Sequence, residues 1–160
     1  MTTDADVAAQ RRARRLALAR TFAENVPHNH ALGIVIEAVD DRTARFRLPY
    51  RADLVGNPET GVLHGGAITA LLDACSGAAV FATLERLQPI ATLDLRIDYL
   101  RPAEPGQDVW AEATCYHVTT NVAFARARAY HAEGDTAIAS ATATFMIATK
   151  LGTVAPRGGA

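Results

Sequence analysis

The sequence predicts an α+β fold in which a curled antiparallel sheet wraps around one long central helix, with an extra helix at the N-terminus. Three observations predict this fold. A long helical pattern of small residues begins at Gly65, four strand-like segments follow it, and three of those segments carry a face made mostly of alanine. A sheet with such small side chains on one face can pack closely around a helix that is itself built from small residues.

Length and composition are those of one globular domain. The chain has 160 residues, of which 49% are hydrophobic and 21% charged, and this length is sufficient to bury a core. A net charge of -1 gives no sign of a nucleic-acid partner. No apolar run approaches the ~18 residues that span a membrane. Cys75 and Cys115 have neither metal-ligand spacing nor a disulfide pattern, so we expect a soluble cytoplasmic protein.

The N-terminal segment, residues 1–29, is expected to be a helix and a lead-in to the main domain. The helical part, residues 5–25, is rich in alanine, leucine and arginine, and a proline follows it. Its basic run 11–15 is typical of a solvated helix face, and the functional alternative is contact with ligand phosphates or a partner chain. Residues 30–149 form the main domain, and the Gly- and Pro-rich segment 150–160 is predicted to be a disordered tail.

Two strand patterns and a loop precede the central helix. The segments 33–39 and 43–48 flank an Asp-Asp pair and are predicted to form a hairpin. Residues 50–63 are rich in turn-forming Gly, Asn and Pro and are expected to be a loop. The helical spacing of apolar residues then predicts the central helix over residues 65–86.

Four strands are predicted after the helix, over residues 92–100, 109–117, 122–130 and 138–147. In the first of them every second residue from Leu93 to Tyr99 is apolar, and the residues between them are polar, as is Thr92. This alternation predicts one dry face and one wet face. Because one helix cannot cover so many strands, we expect a dimer that continues the sheet and protects an edge strand.

The stretch from Asn57 to Asp73 carries the residues suited to chemistry. The segment Gly61-Val62-Leu63-His64-Gly65-Gly66 leads directly into the central helix, and Asp73 follows within it. A helix start presents free backbone N–H groups and the positive end of the helix dipole. Glycines there allow a substrate carbonyl to approach the backbone. Such donors become more valuable as negative charge develops on the carbonyl oxygen during acyl transfer.

These residues resemble the hotdog-fold acyl-CoA thioesterases, in particular the group of the phenylacetate-pathway enzyme and the mammalian thioesterase superfamily members. The resemblance covers roughly residues 30–148. It rests on Asn57, on the segment 61–66, on Leu71-Leu72-Asp73, and on the segment from Thr92 to Ala103, which is similar to the family's third-strand signature.

The resemblance implies a role for each residue in thioester hydrolysis. The Gly65 N–H is the oxyanion donor, and the Asn57 amide gives a second donor or holds the water. His64 helps to shape the carbonyl site. Asp73 is the base or nucleophile. Thr92 matches a position at which the family often has Ser or Thr near the water.

Each of these side chains also has a structural interpretation. His64 could cap the helix, and Asn57 could be a turn residue before Pro58. Asp73 could be a solvated helix residue and Thr92 an ordinary strand residue. The functional interpretation of Asp73 is favoured because aspartate is a poor helix former and its neighbours in the chain are apolar.

Spacing along the helix separates two halves of the predicted site. Asp73 lies eight residues after Gly65, which is roughly 12 Å at 1.5 Å per residue. That separation is too long for both groups to reach one reacting carbon in the same subunit. We therefore expect Asp73 to serve the Gly65 of a neighbouring chain. The resemblance implies the same arrangement, with two shared sites per homodimer, and also a homotetramer.

Further residues on the helix are expected to line the substrate site. Gly66, like Gly65, has no side chain to block the approach of the carbonyl. The stripe that contains Asp73 predicts a groove of small and polar residues, formed with Thr69, Ser76, Gly77 and Val80.

The turn between the second and third of the late strands is a candidate for binding the CoA phosphates. Relatives often carry Arg or Lys with Gly there, whereas this chain has Thr119, Thr120 and Asn121. Hydroxyl and backbone N–H groups can still bind phosphate, and the missing charge would have to come from Arg101, Arg126 or Arg128. An acyl-carrier-protein thioester therefore stays open as an alternative substrate.

No cofactor and no metal are expected. His28 and His30 form a pair that no carboxylate or cysteine cluster completes. Cys75 is interpreted as a small packing residue, and the sequence has no Gly-x-Ser-x-Gly elbow. Two other functions stay open: a hotdog hydratase or dehydratase, which usually pairs a catalytic histidine with an acid in a different arrangement, and a non-catalytic acyl-CoA-binding module.

Overall fold

The computed structural model of the protein describes residues 4–86 and 88–147. The helices in this part are Asp4–Glu24 (α1), Pro27–Leu32 (α2) and Gly65–Thr83 (α3), with a short 3-10 helix at Ala52–Leu54. The strands are Val35–Asp40 (β1), Thr43–Leu48 (β2), Val55–Asn57 (β3), Val62–Leu63 (β4), Ile90–Tyr99 (β5), Val109–Val118 (β6), Val122–Tyr130 (β7) and Ala139–Ile147 (β8).

Six of the strands form one antiparallel sheet in the order β1-β2-β6-β7-β8-β5, so β1 and β5 are its edges. All six contact α3. The alternating alanines of β6, β7 and β8 are buried on the face that packs against this helix. The prediction of a curled sheet around one central helix is therefore confirmed.

The central helix α3 is built for a buried position. Its fully buried side chains include Leu71, Leu72 and Cys75, and half of its other buried residues are alanine. By length and composition this 19-residue helix is apolar enough to cross a membrane, so the expectation that no apolar run approaches that length is wrong. Because 61% of its 18-residue apolar window is buried inside the fold, α3 has the environment of a core helix. It ends at Thr83 rather than at the predicted Arg86.

The N-terminal helix α1 packs against the second half of α3. Ala19 is fully buried in a small cluster with Phe81 and Ala82. Near the middle of α1, Arg12 forms ion pairs with Asp40 and Asp41 at the β1–β2 turn. Within the basic run, Arg12 therefore fixes α1 to the hairpin of its own chain.

A short second helix, α2, follows α1 and was not predicted from the sequence. Pro27 occupies its first position, where the missing N–H has no intrahelical acceptor to lose. Gly33 ends α2 in the left-handed conformation, with φ of 72°. The segment between α1 and the sheet, predicted only as a lead-in to the main domain, thus contains a helix. We call the end of α1, residues 25–26 and the start of α2 the α1–α2 corner.

The predicted loop 50–63 is more structured than its composition indicates. It contains the 3-10 helix and the two-stranded hairpin of β3 and β4. Tyr50 Oη donates a hydrogen bond to Gly61 O at 2.8 Å, which fixes the end of this hairpin. The predicted tail 150–160 lies outside the described residues.

Candidate active site

The start of α3 presents one free backbone donor. His64 is the N-cap, with extended backbone at φ −63° and ψ 132°, and its Nδ1 accepts a hydrogen bond from Gly66 N at 2.9 Å. The first N–H of the helix, that of Gly65, has no intrahelical acceptor, and no described residue accepts from it. The capping interpretation of His64 is thus confirmed, and the cap leaves the Gly65 N–H available to a ligand.

Two glycines allow His64 to adopt this position. A Cβ on Gly66 would lie 2.8 Å from His64 Nδ1, and a Cβ on Gly56 would lie 2.9 Å from His64 Cα. Both separations are too short for a side chain at either site without movement of His64. Gly66 therefore serves the cap geometry, in addition to its predicted place near the substrate.

Tyr99 on β5 also contacts the first turn of α3. Its Oη donates to Gly65 O at 2.6 Å and lies 2.9 Å from Thr69 Oγ1. Sequence reasoning treated Tyr99 only as an apolar strand residue. Its position before the Arg-Pro pair gave no signal of this contact, because the phenol reaches the helix only through the tertiary fold.

Asn57 is the exposed last residue of β3, where the turn to β4 begins. Its Oδ1 accepts from Glu59 N at 3.0 Å, and its main-chain oxygen accepts from Gly61 N at 2.9 Å. These contacts confirm the turn interpretation. The amide Nδ2 has no partner among the described residues, so it stays available as the second donor predicted for the site.

Asp73 and Thr92 are brought together. Thr92 Oγ1 donates a hydrogen bond to Asp73 Oδ1 at 2.9 Å. Thr92 is exposed, as its place among the polar residues of the strand predicted, but it lies on the face toward α3 rather than on the opposite face with Asp94. The reason is a β-bulge: Thr92 pairs with Phe145 and Asp94 pairs with Thr144, so Leu93 is the extra residue. The bulge reverses the alternation and turns Thr92 toward α3.

The apolar face of β5, which was predicted to be buried, is only partly buried in the single chain. Leu93 is 57% exposed and Tyr99 is 49% exposed. Two causes act together, since β5 is an edge of the sheet and Leu93 lies in the bulge. Leu95 and Ile97, which follow the bulge, are half-buried and pack against the core.

A cavity of about 230 Å³ opens beside the Asp73 carboxylate. Its floor is a row of small residues on α3, and its walls come from β5, β8 and the corner between α1 and α2. The lining residues are Ala23, Val26, His28, Asn29, Ala70, Asp73, Ala74, Gly77, Ala78, Phe81, Ile90, Thr92 and Phe145. Most of the lining is apolar, and Asp73 and Thr92 supply polar groups to it.

Of the helix residues predicted to line a groove with Asp73, Gly77 does line the cavity, whereas Ser76 and Val80 do not. Gly77 lines the cavity with Asp73. Ser76 and Val80 are fully buried, and Ser76 Oγ has no hydrogen-bond partner among the described residues. At about 100° per residue, Ser76 points to one side of Asp73 and Gly77 to the other, and only the second side faces the cavity. The predicted substrate contact of Ser76 finds no support in this position.

The turn of Thr119, Thr120 and Asn121 lies away from Asp73. Thr119 Oγ1 bonds both the carbonyl and the N–H of Val122, which closes the turn. The turn borders a surface depression of about 380 Å³ at the C-terminal end of α3, together with Arg86. Arg86 is exposed. Its proximity to this turn was not predicted from the sequence, in which Arg86 is the last residue of the predicted helix.

The three arginines named as replacements for the missing charge are engaged elsewhere. Arg101 donates to Thr136 O at 2.9 Å. Arg126 lies over the ring of Tyr116 at 4.7 Å. Arg128 forms an ion pair with Glu112 at 2.9 Å.

Other candidate groups do not form a second site. Cys75 is fully buried, its Sγ lies 3.3 Å from Ala44 O, and burial raises the pKa of its thiol. It is therefore a packing residue, as predicted. Within residues 4–86 and 88–147, no group of three or more His, Cys, Asp or Glu side chains could hold a metal ion.

Comparison with known proteins finds relatives of this chain among thioesterases. The family model described as "Thioesterase superfamily" matches residues 60–138. The medium/long-chain acyl-CoA thioesterase YigI of Escherichia coli strain K12 is 35% identical over 139 residues, which cover 79% of this chain and 88% of YigI.

Solved structures show the same fold. A protein from Pseudomonas aeruginosa is 45% identical, with a TM-score of 0.74 over 82% of this chain and 98% of that chain. A mutant structure of the phenylacetic acid degradation protein PaaI from Thermus thermophilus is 28% identical, with a TM-score of 0.68 over 77% of this chain and 100% of that chain. The sheet wrapped around α3 is thus the hotdog fold, and the chain belongs to the thioesterase superfamily as a thioester hydrolase.

Proposed function

We propose that the chain is an acyl-CoA thioesterase that hydrolyses an acyl- or aryl-CoA thioester to the free acid and CoA. The observation that carries the proposal is the position of Asp73. Its carboxylate lies beside an apolar cavity and accepts a hydrogen bond from Thr92. A carboxylate can activate water for attack on the thioester, while an apolar cavity takes the acyl group. The name of the relative YigI, a medium/long-chain acyl-CoA thioesterase, supports the same substrate class.

The carbonyl-polarising half of the site is the start of α3. The thioester oxygen binds at the Gly65 N–H, which the His64 cap leaves free. As the tetrahedral intermediate forms, that oxygen gains negative charge, and a preorganised donor at the positive end of the helix dipole stabilises it. The free Nδ2 of Asn57 is the second donor, or it holds the water.

Asp73 supplies the second half of the site. As a base it takes a proton from a water molecule, whose oxygen bonds to the carbonyl carbon. The C–S bond then breaks, and CoA leaves as a thiolate that takes up a proton. Thr92 Oγ1 occupies Asp73 Oδ1, which leaves Oδ2 to face the water. Direct attack by the carboxylate, through an anhydride that water then opens, is the alternative course.

The two halves come from different subunits of a homodimer. Gly65 and Asp73 lie on the same straight helix, so roughly 12 Å of helix rise separates them. The edge strand β5, with Leu93 57% exposed, is the surface through which a second copy continues the sheet. Asp73 of one subunit then serves the partner's Gly65.

The pantetheine and nucleotide of CoA extend away from the cavity over the surface. The turn of Thr119, Thr120 and Asn121 binds phosphate through hydroxyl and N–H groups, and the neighbouring Arg86 supplies a positive charge. An acyl-carrier-protein thioester is the alternative substrate.

We further expect a tetramer of two such dimers and a reducing cytoplasmic location, where the free cysteines Cys75 and Cys115 stay thiols.

The test is CoA release from a panel of aryl-CoA and straight-chain acyl-CoA thioesters. Asp73→Asn keeps the size of the side chain and removes the base, so kcat should fall at least ~100-fold. The matched control is Asp135→Asn, because Asp135 is an exposed aspartate in the turn between β7 and β8, away from β5, where its Oδ2 accepts from Ala132 N, and this variant should retain wild-type kcat. An unchanged rate in Asp73→Asn would remove Asp73 from the mechanism. Binding without turnover in the wild type would instead indicate a non-catalytic acyl-CoA-binding module.

A further inference from the structure

Part of the wall of the Asp73 cavity is built by the corner between α1 and α2. Ala23 comes from the last turn of α1, Val26 from the corner itself and Asn29 from α2. All three precede the segment matched by the family model, residues 60–138. This wall is therefore contributed by a part of the chain outside that segment.

The corner is held in place by a buried hydrogen bond. Asn29 is buried, and its Nδ2 donates to Ala23 O at 2.9 Å, a carbonyl in the last turn of α1 without an intrahelical partner. The main-chain oxygen of Asn29 accepts from Ile34 N at 2.9 Å. The same residue thus lines the cavity and fixes the distance between α1, α2 and the first strand.

The cavity lining combines a few polar side chains with a mainly apolar remainder. Thr92 and His28 are exposed and Asp73 is half-buried, whereas Ala23, Phe81 and Phe145 are buried. Along α3, Asp73 and Phe81 are eight residues apart, which is about 12 Å. Apart from Asp73, Thr92, the exposed His28, and Asn29, whose amide is already bonded, the lining has no polar side chain to satisfy a polar acyl group.

We propose that the α1–α2 corner is the end wall of the acyl pocket, so that Val26 and Ala23 set the longest straight apolar acyl chain that the enzyme accepts. The inference rests on the proposed thioesterase function. It assigns acyl-length specificity to the N-terminal helices, while the reacting groups stay on α3 and β5. Val26 is the better residue to vary, because it is half-buried whereas Ala23 is packed in the main core.

The experiment measures kcat/KM over straight-chain acyl-CoAs from acetyl to palmitoyl. Val26→Phe fills the end of the pocket and should lower the ratio of long-chain to acetyl kcat/KM about tenfold, the usual effect of one or two methylenes in an apolar pocket. Val26→Ala removes two methyl groups and should move the chain-length maximum to longer acyl groups. Val35→Phe and Val35→Ala are matched controls, since Val35 is also half-buried but lies on the edge strand β1, away from the cavity.

Gly77→Ala is a second variant that narrows the same cavity, in this case from α3. A Cβ there would lie 3.6 Å from Phe145 and 3.9 Å from Ile90, which is ordinary contact, and alanine is the better helix former. It should also disfavour long acyl groups without loss of folding. Chain-length profiles that match wild type in all three variants would overturn the end wall while the thioesterase function stands. A wild-type protein that releases no CoA from any substrate would overturn the proposed function and the inference with it.

Discussion

At the scale of single residues, the Tyr99 hydroxyl controls the geometry of the proposed oxyanion donor. It donates to Gly65 O at 2.6 Å and lies 2.9 Å from Thr69 Oγ1. The Gly65 N–H belongs to the first turn of α3, and that turn is therefore held by a side chain that reaches it from β5. Tyr99 is a positioning residue, because it acts on the donor through the helix backbone.

Tyr99→Phe tests this role. Loss of one hydrogen bond worth about 0.5–1.5 kcal/mol should lower kcat about 3- to 10-fold. KM should change less than about twofold, because the bond orders a donor that matters most in the transition state. Tyr116→Phe is the control, since Tyr116 is an exposed tyrosine on β6 that stacks with Arg126. Equal kcat values for the two variants would contradict the positioning role.

At the scale of secondary-structure elements, the bulge in β5 decides the chemistry of the site. The alternation of apolar residues correctly predicted a strand, and the alanine stripes of β6, β7 and β8 correctly predicted which face covers α3. The bulge at Leu93 was not predictable from them, because it depends on pairing with β8. One extra residue exchanges the two faces of a strand, and this is why Thr92 contacts Asp73.

The walls of the cavity also depend on tertiary contacts, and most of them could not be predicted from the sequence. The helix start at Gly65 and the cap at His64 were predictable because a glycine-rich helix start is a local signal, whereas the proposed role of Asp73 rests on an aspartate in an apolar helix and on the family resemblance. Val26 and Asn29 carry no local signal of function. They reach the cavity only because Pro27 and Gly33 bound a short helix that folds back over α3.

Asp108, next to the start of β6, is hydrogen-bonded to Arg47 on β2 and to Tyr50 at the start of the loop 50–63. These contacts make the free energy of unfolding depend on pH. The Asp108 carboxylate accepts from Tyr50 N and from Arg47, each at 2.8 Å. The hydrogen bond from Tyr50 N, followed by that from Arg47, lowers the pKa of Asp108. Because the folded state favours the carboxylate, its stabilisation is complete above the unfolded-state pKa of about 3.9. It is lost as the pH falls through the lower folded-state value.

Asp108→Asn should therefore lower the free energy of unfolding by about 0.5–1 kcal/mol at pH 7. This modest value takes account of solvent screening, since the Asp108 side chain is 39% exposed. Below about pH 4 the difference between variant and wild type should shrink. Urea titrations at a series of pH values measure both effects, with Asp94→Asn as the control. A difference that stays constant down to about pH 2 would contradict the linkage.

At the scale of the whole molecule, the proposed activity depends on assembly. One chain has its free donor at the start of α3 and its carboxylate about two turns further along the same helix. Its edge strand β5 leaves Leu93 and Tyr99 about half exposed. A symmetric dimer through this edge would cover those side chains and complete two sites at once.

Two variants separate the halves of the site. Gly65→Pro removes the N–H at the first helical position, where proline is well accepted, and the extended backbone of His64 suits a residue before proline. Gly65→Ala is its control, because it adds a Cβ near Tyr99 but keeps the N–H. Asp73→Asn removes the base. Each of the two disabled proteins should be nearly inactive as a homodimer.

The most direct measurement is the thioesterase activity of a refolded equimolar mixture of the Gly65→Pro and Asp73→Asn chains. If the site is shared, half of the dimers are mixed and each has one intact site, so activity should return to about a quarter of wild type. If Gly65 and Asp73 act within one chain, every site in the mixture lacks one group. Activity that stays at the level of the separate variants would contradict the shared site.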